Sequence, residues 1–302
     1  MRKILITGAT GLIGREIVKV CHAHNHVVHY LTTSKNKLST HENYKGFYWN
    51  PDSNDIDEQC FAGVDTIINL VGASISKRWT NSYKNEILTS RTKTAKLLKD
   101  TIAKYNFPVK HMVSASAIGV YPSSMTNYYE EDTEEVSTSF LGEVVEQWEA
   151  AVDTFSSLNI KVAKIRIGLV LSEKGGALPE IAKPVRFGAG AAFGDGNQWQ
   201  SWIHISDLAR LFVFAVDNEL EGIYNGVAPN PVTNNELTKA VAKVLHKPLI
   251  LPNIPKLAMK LVLGEMHMLL FESQRVSATK IEETGFDFEF HHLEVALLDI
   301  FS

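Results

Sequence analysis

Apolar residues follow two alternating rhythms through the first half of the chain. Short runs rich in β-branched residues, at 3–6, 27–31, 47–49, 66–71, 111–114 and 162–167, are too brief for helices and read as buried strands. Between them come stretches with helical spacing. Ile13, Ile17, Val18 and Val20 follow the first run, and longer patterns cover 82–105 and 140–155. The last of these sets Phe140, Val144, Val145, Trp148, Ala151, Val152 and Phe155 on one face. Strand and helix in alternation predict right-handed βαβ units, and a parallel sheet covered on both sides.

The rhythm changes beyond residue 171. Gly175, Gly176, Gly188, Gly190, Gly194 and Gly196 mark a loop-rich stretch, and Pro229, Pro231, Pro248, Pro252 and Pro255 punctuate the chain beyond it. Helical patterns persist at 206–217, 234–245, 255–263, 277–284 and 292–301. The expectation is an α/β protein with a doubly wound, Rossmann-type core over 1–171, to which 205–228 returns. Residues 172–204 and 229–302 would form a smaller domain over the carboxyl edge of the sheet, where such sheets bind ligands.

Composition narrows the classes. The chain has 302 residues, 45% hydrophobic and 21% charged, which is ordinary for a soluble protein with a substantial core. A formal charge of −4 argues against nucleic-acid binding. The acidic run Glu130-Glu131-Asp132 reads as a solvated loop. No apolar segment approaches the roughly 20 residues that span a bilayer, and the first core strand starts at the N-terminus with no signal peptide before it, so a cytoplasmic location is expected. Cys21 and Cys60 form no paired motif, and Cys21, His22, His24 and His26 lack fixed ligand geometry, so no metal is expected.

The first strand runs directly into Thr7-Gly-Ala-Thr-Gly-Leu-Ile-Gly14. Strand, glycine turn and helix in that order form a dinucleotide-binding beginning. Gly8 allows the tight turn, Gly11 lets backbone N–H groups approach a pyrophosphate, and Gly14 lets helix and strand pack closely. Thr10, Leu12 and Ile13 complete the loop at the positive end of the helix. An NAD site places an acid about 20 residues further on for the ribose 2′-OH. Here the region reads Leu31-Thr32-Thr33-Ser34-Lys35, which suits a 2′-phosphate and favours NADP over NAD, unless the lysines only decorate a surface turn.

Further motifs carry a resemblance that spans essentially the whole chain. They include Asn69-Leu70-Val71-Gly72-Ala73, Lys77-Arg78-Trp79, Ser90-Arg91-Thr92 and Ser116-Ala117-Ile118-Gly119. Later come Arg166-Ile-Gly168-Leu-Val-Leu171, Trp202-Ile-His204-Ile-Ser-Asp207, and a terminal block from Gln274-Arg275 to Gly285-Phe286. With these the chain resembles extended short-chain dehydrogenase/reductases of the NAD-dependent epimerase/dehydratase superfamily. Within them it is similar to an atypical, sugar-nucleotide-epimerase-like group with its own C-terminal segment. The resemblance implies a cofactor bed that includes Leu70–Ala73, Arg91, Ser114, Arg166 and Gly168.

Ordinary members use Ser, Tyr and Lys, the last two one helical turn apart so that the ammonium lowers the phenol's pKa. In this sequence those two positions fall on Phe140 and Val144, the usual upstream Asn falls on Arg91, and only the serine matches, as Ser116. Ser116, Arg91 and Tyr121 are then the catalytic candidates, and Arg78, Trp79, Ser116, Trp202 and His204 the substrate candidates. Three of them have a plain alternative: local bonding for Ser116, an ion pair for Arg91, a satisfied structural role for His204. Trp148 fits either the core or a dimer contact, so monomer and homodimer both stay open. Two functions remain. One is an NADP(H)-dependent oxidoreductase or epimerase acting on a small polar substrate, a nucleotide-linked sugar among the candidates. The other is a catalytically silent, NADP-binding redox sensor or partner-binding protein.

Overall fold

A computed structural model describes all residues, Met1–Ser302. Its centre is a nine-stranded sheet. The strands that organise it are β1 (Lys3–Thr7), β2 (Val27–Thr32), β3 (Tyr44–Asn50), β4 (Thr66–Asn69), β5 (His111–Ala117) and β6 (Lys161–Ile167). Two short strands come next, β7 (Leu169–Leu171) and β8 (Trp202–His204), which pair with each other outside this sheet, and then β9 (Gly222–Gly226). The order β3-β2-β1-β4-β5-β6-β9 is parallel throughout. Its first six members have the 3-2-1-4-5-6 order of a dinucleotide-binding fold. The crevice of such a sheet opens where the order reverses, at the carboxyl ends of β1 and β4.

Helices cover both faces. They are α1 (Leu12–Ala23), α2 (Asn81–Tyr105), α3 (Phe140–Asp153), α4 (Leu178–Arg186) and α5 (Ile205–Asp217). Then come α6 (Asn234–Val244), α7 (Lys256–Leu263), α8 (Met268–Phe271), α9 (Thr279–Glu283) and α10 (Leu293–Phe301). α1 packs on α5 on one side and α2 on α3 on the other. Because the strands are buried on both faces, they read as the continuous apolar runs seen in Ile4-Leu5-Ile6 and Ile67-Ile68.

The elements expected from patterning are present, and α4 is the longest of those that patterning omits, ahead of α8, β7 and β8. α4 lies in the glycine-rich stretch, and Pro179 and Pro184 disguise it. Pro179 sits in its first turn, where no N–H is missed, while Pro184 comes near its end. The acidic run is also less solvated than its composition suggests. Glu131 is buried, and its carboxylate accepts the Asn225 N–H at 2.7 Å.

Two main hydrophobic cores form, beside a small cluster of Trp79, Ile87, Leu141 and Val144. The larger surrounds the sheet. The smaller joins Leu171, Leu178, Trp202, Leu237, Phe290 and Leu297 from β7, α4, β8, α6 and the C-terminal region. Residues 205–228 carry α5 and β9, the latter in register with β6. The division departs from expectation at the other end of the chain. Val276, Ala278, Ile281, Phe286 and Phe288 lie in the larger core, because α9 and the segment after it cover β9 and α5. Asp207 fixes this return: its fully buried carboxylate accepts the N–H groups of Glu289 and Phe290, at 3.0 and 2.9 Å, and the guanidinium of Arg210 at 2.7 Å.

A seam joins the two parts. Ser201 Oγ donates to the Gln274 carbonyl and accepts the Val276 N–H, both at 2.9 Å. Gln274 Nε2 donates to the Tyr121 carbonyl at 2.8 Å. The Arg275 guanidinium lies 4.5 Å from the ring centre of Trp199 and 5.2 Å from that of Tyr128. No helix is long and apolar enough to cross a membrane.

Candidate functional site

At the carboxyl end of β1 the chain turns on Gly8, whose φ of +74° is natural only for glycine. A Cβ on Gly14 would lie 2.2 Å from the Gly8 carbonyl oxygen and 2.6 Å from Ala9 Cα, so helix and turn touch backbone to backbone. α1 then begins with no side-chain cap and no acid in its first turn. The N–H groups of Leu12, Ile13 and Gly14 find no acceptor within the chain. Orphan donors, the positive end of the helix dipole and a surface stripped of side chains together fit a pyrophosphate.

Beneath this cradle lies a buried polar relay. Thr7 Oγ1 donates to Asn69 Oδ1 at 2.8 Å and accepts the Leu70 N–H at 3.0 Å, while Asn69 Nδ2 donates to Ser114 Oγ at 3.1 Å. Ser114 therefore braces the ends of β1, β4 and β5 from below. Beside the cradle, a cleft of about 550 Å³ brings together Thr33, Tyr48, Val71, Gly72, Ala73 and Ser90. At its edge Thr32 accepts the Ser34 N–H at 3.2 Å, and Lys35 Nζ stands 5.1 Å from the ring centre of Tyr48. No carboxylate occupies the end of β2, so hydroxyls and an ammonium present themselves where a ribose phosphate would lie.

A second cavity, of about 210 Å³, opens at the carboxyl ends of β5 and β6. Its wall is mainly apolar and includes Ile118, Leu141, Val144, Trp148, Ile167 and Gly168. Gly168 permits this approach: a Cβ there would sit 2.3 Å from the Ser201 carbonyl oxygen. Val144, at the position of the usual lysine, is part of the wall; Phe140, at the position of the usual tyrosine, packs on Trp79 with ring centres 5.2 Å apart.

Arg91 reaches this cavity from α2, crossing so close to Gly72 that a Cβ there would lie 2.7 Å from its Cζ. Its terminal nitrogens donate to the carbonyls of Ala73 and Ile87, at 3.3 and 2.7 Å, and it forms no ion pair with a carboxylate. Burial pushes its pKa down to about 10, so the guanidinium stays charged at neutral pH. Its centre lies 4.9 Å from the ring of Trp148. Arg91 Nε and Trp148 Nε1 are both buried without a hydrogen-bond partner. Trp148 is thus committed to the cavity wall rather than to a dimer contact. Glu272, just past α8, lines the same cavity, and burial raises its pKa above the usual carboxyl range despite the Ser139 hydroxyl nearby.

Other expected site residues are placed elsewhere. Arg166 forms a two-toothed pair with Glu149, at 2.9 and 3.0 Å, and its remaining nitrogen donates to the Tyr121 hydroxyl at 3.0 Å. Ser116 Oγ donates to the same Glu149 carboxylate at 2.5 Å, and Tyr121 donates to Asn225 Oδ1 at 2.8 Å. The expected substrate contact of Ser116, cofactor contact of Arg166 and catalytic contact of Tyr121 give way to this buried network, because each polar atom already has an internal partner. Burial tends to raise the pKa of Glu149, but the Arg166 bonds prevail and hold it low. For the Tyr121 hydroxyl burial prevails and raises it, against Arg166.

The expected substrate roles of Trp202 and His204 meet the same objection. Trp202 is fully buried in the smaller core and donates to the Asn230 carbonyl at 2.9 Å. His204 caps α5, accepting the Ser206 N–H at 3.2 Å, and packs on Phe290 with ring centres 4.0 Å apart. Its Nε2 lies 3.3 Å from Asp299 but outside hydrogen-bonding geometry. Trp79 is buried and donates to the Ile75 carbonyl at 2.9 Å, leaving exposed Arg78 the freer of that pair. His24 and His26 each bond one oxygen of Asp217, at 2.9 and 2.8 Å, tying the α1 corner to the end of α5.

Of the two unpartnered donors, Arg91 is legible in the sequence by its position, whereas no local pattern marks Trp148 or Glu272 as a site residue. Glu149 does carry a signal: it shares the 145, 148, 152 stripe of α3, where a charge must have a partner.

Comparisons with known proteins fit this geometry. Residues 4–226 match the NAD dependent epimerase/dehydratase family, and residues 254–300 match a domain of unknown function, DUF1731. An epimerase family protein of Staphylococcus aureus is 34% identical over 304 residues, spanning all of both chains. The crystal structure of human epimerase family protein SDR39U1 with NADPH superimposes with a TM-score of 0.85 at 29% identity, covering 99% of this chain and 98% of that one. A nucleoside-diphosphate sugar epimerase of Corynebacterium glutamicum gives 0.78 at 28% identity, with 99% of this chain and 58% of that one covered.

Proposed function

The chain belongs to the NAD-dependent epimerase/dehydratase family, and from that premise we propose that it binds NADP(H) and works as an oxidoreductase or epimerase on a small substrate, without a Tyr/Lys pair. The observation that carries the reading is the set of unpartnered N–H groups at Leu12, Ile13 and Gly14, beside a β2 end that offers Thr32, Thr33, Ser34 and Lys35 but no acid. The NADPH in the similar human structure supports it.

Bound along this path, the nicotinamide supplies or accepts hydride. The chain's own residues do the rest. The α1 terminus holds the pyrophosphate, and the hydroxyls with Lys35 hold the 2′-phosphate. Thr7, Asn69 and Ser114 keep the bed rigid. Ser116 and Arg166 act at one remove, by locking Glu149 and hence the face of α3 that carries Trp148 into the cavity. Arg91 puts a positive charge where an oxyanion would develop.

A second reading, a catalytically silent NADP-binding sensor, is favoured by Phe140 and Val144, which cannot move a proton. Titration of the purified protein with NADPH and NADH tests the cofactor assignment. We expect NADPH to bind at least about tenfold more tightly, the effect of one charge-assisted contact. Equal affinities would remove the NADP preference. Turnover of NADPH with any member of a carbonyl and sugar-nucleotide panel separates enzyme from sensor.

A further inference from the structure

The second cavity has few polar groups left to offer. Ser201 and Gln274 are bonded to each other's segment and to Tyr121, and Trp199 Nε1 donates to the Met125 carbonyl at 3.1 Å. What remains is the Gln200 amide and the Glu272 carboxyl, with Arg91 Nε and Trp148 Nε1 lying unpartnered just beneath an otherwise apolar wall. A hexose carries a hydroxyl on nearly every carbon, and each buried hydroxyl needs a partner that this wall does not supply. A buried guanidinium without a counter-charge asks for an anion.

Resting on the NADP(H) reading above, we propose that this cavity takes a compact α-keto acid with an apolar side chain. Arg91 and Trp148 hold its oxygens, and Glu272 is the catalytic acid that stands in for the missing tyrosine. The step assigned to Glu272 is a proton transfer. Hydride from NADPH reaches the carbonyl carbon, and the C=O π pair moves to the oxygen. The O–H bond of the Glu272 carboxyl breaks and its proton passes to that oxygen, giving an α-hydroxy acid. Water from the adjoining cleft, which Ser137, Ser139 and Lys256 share with Glu272, then reprotonates the carboxylate. In the reverse direction Glu272 accepts the proton.

The raised pKa of Glu272 suits this role, since burial keeps it protonated to higher pH than a free carboxyl. The charged groups around it are Arg91 across the cavity, and Glu135 and Lys256 in the cleft. As pH rises through its pKa, Glu272 ionises and repels a bound carboxylate, so affinity for the keto acid falls.

The test uses the full chain with NADP⁺ and phenylpyruvate, which cannot react with each other, so that binding is read calorimetrically apart from turnover. We expect phenylpyruvate to bind the NADP⁺ complex more tightly than UDP-glucose does, with affinity falling as pH rises. Glu272→Gln should bind at neutral pH without that pH dependence and lose turnover with NADPH. Arg91→Met should bind about tenfold more weakly, as should Trp148→Phe to a smaller degree, both with a native circular dichroism spectrum and a cooperative thermal melt as evidence of folding. Tight NADP⁺ binding with no phenylpyruvate binding, a tighter complex with UDP-glucose, or an unchanged pH dependence in Glu272→Gln would overturn the proposal while leaving the cofactor reading intact. Loss of NADP⁺ binding by the unaltered protein would instead overturn that reading.

Discussion

Glu149 shows how much a single carboxylate can organise. It takes both teeth of Arg166, the Ser116 hydroxyl, and stands 3.9 Å from Lys164. Removing its charge would leave a buried guanidinium unpaired, which costs about 3–5 kcal/mol. We therefore expect Glu149→Gln to lose stability on that scale in urea unfolding. The pH dependence is set by the direction of its shift. Its folded pKa is depressed, so its contribution is fully present above the unfolded carboxyl value and vanishes as pH falls through the folded one. Acid unfolding measured between those limits should be correspondingly flatter in the variant. At this scale the sequence places Arg166 on its strand and Tyr121 in its loop, and sets Ser116 just past a strand that in the structure runs on to Ala117, but it does not reveal their partners. A strand position says which sheet edge a side chain occupies, whereas the atom it bonds comes from α3 or β9, far away in the chain.

Among the elements, the turn from β1 into α1 is the most legible, because every requirement of its geometry falls on a glycine. It also yields the sharpest substitution. Gly14→Ala would drive a Cβ into the Gly8 carbonyl and Ala9. The turn must open, and with it the row of N–H groups. We expect NADPH affinity to drop by more than about tenfold, together with a lower melting temperature, measured by titration and thermal melts. An unchanged affinity would show that the phosphate does not sit on this terminus. α4 is the least legible element, since two prolines and flanking glycines imitate a loop, and only packing on α6 reveals a helix. α9 and the aromatic segment after it are recognisable as elements, yet their pattern points to the wrong layer. Helical spacing identifies an apolar face without saying which core receives it.

For the whole molecule, the two cores are linked through Ser201, Gln274, Arg275 and Asp207, so they should not melt separately. A single calorimetric transition is the expected result, and two resolved transitions would mean that the seam is weak. NADPH should move that transition upward, by about 2.7 kcal/mol at a hundredfold excess over Kd. The architecture of the sheet is readable because it rests on local periodicity and strand order. The cavity is not, because its wall is assembled from α2, α3, β6, the short strand Trp199–Gln200 and the segment after α8, and no local pattern announces that they meet.

That seam has a consequence for how the protein is made. β1 leaves the ribosome long before residues 272–274, yet the latter close the cavity beside the site that β1 begins. The glycine turn and its strands are made early, while the larger core around them still lacks Val276, Ile281 and Phe288. The chamber beside it exists only once the late segment has threaded between Tyr121 and Ser201. A nascent chain thus carries the glycine turn long before it has a chamber for a substrate.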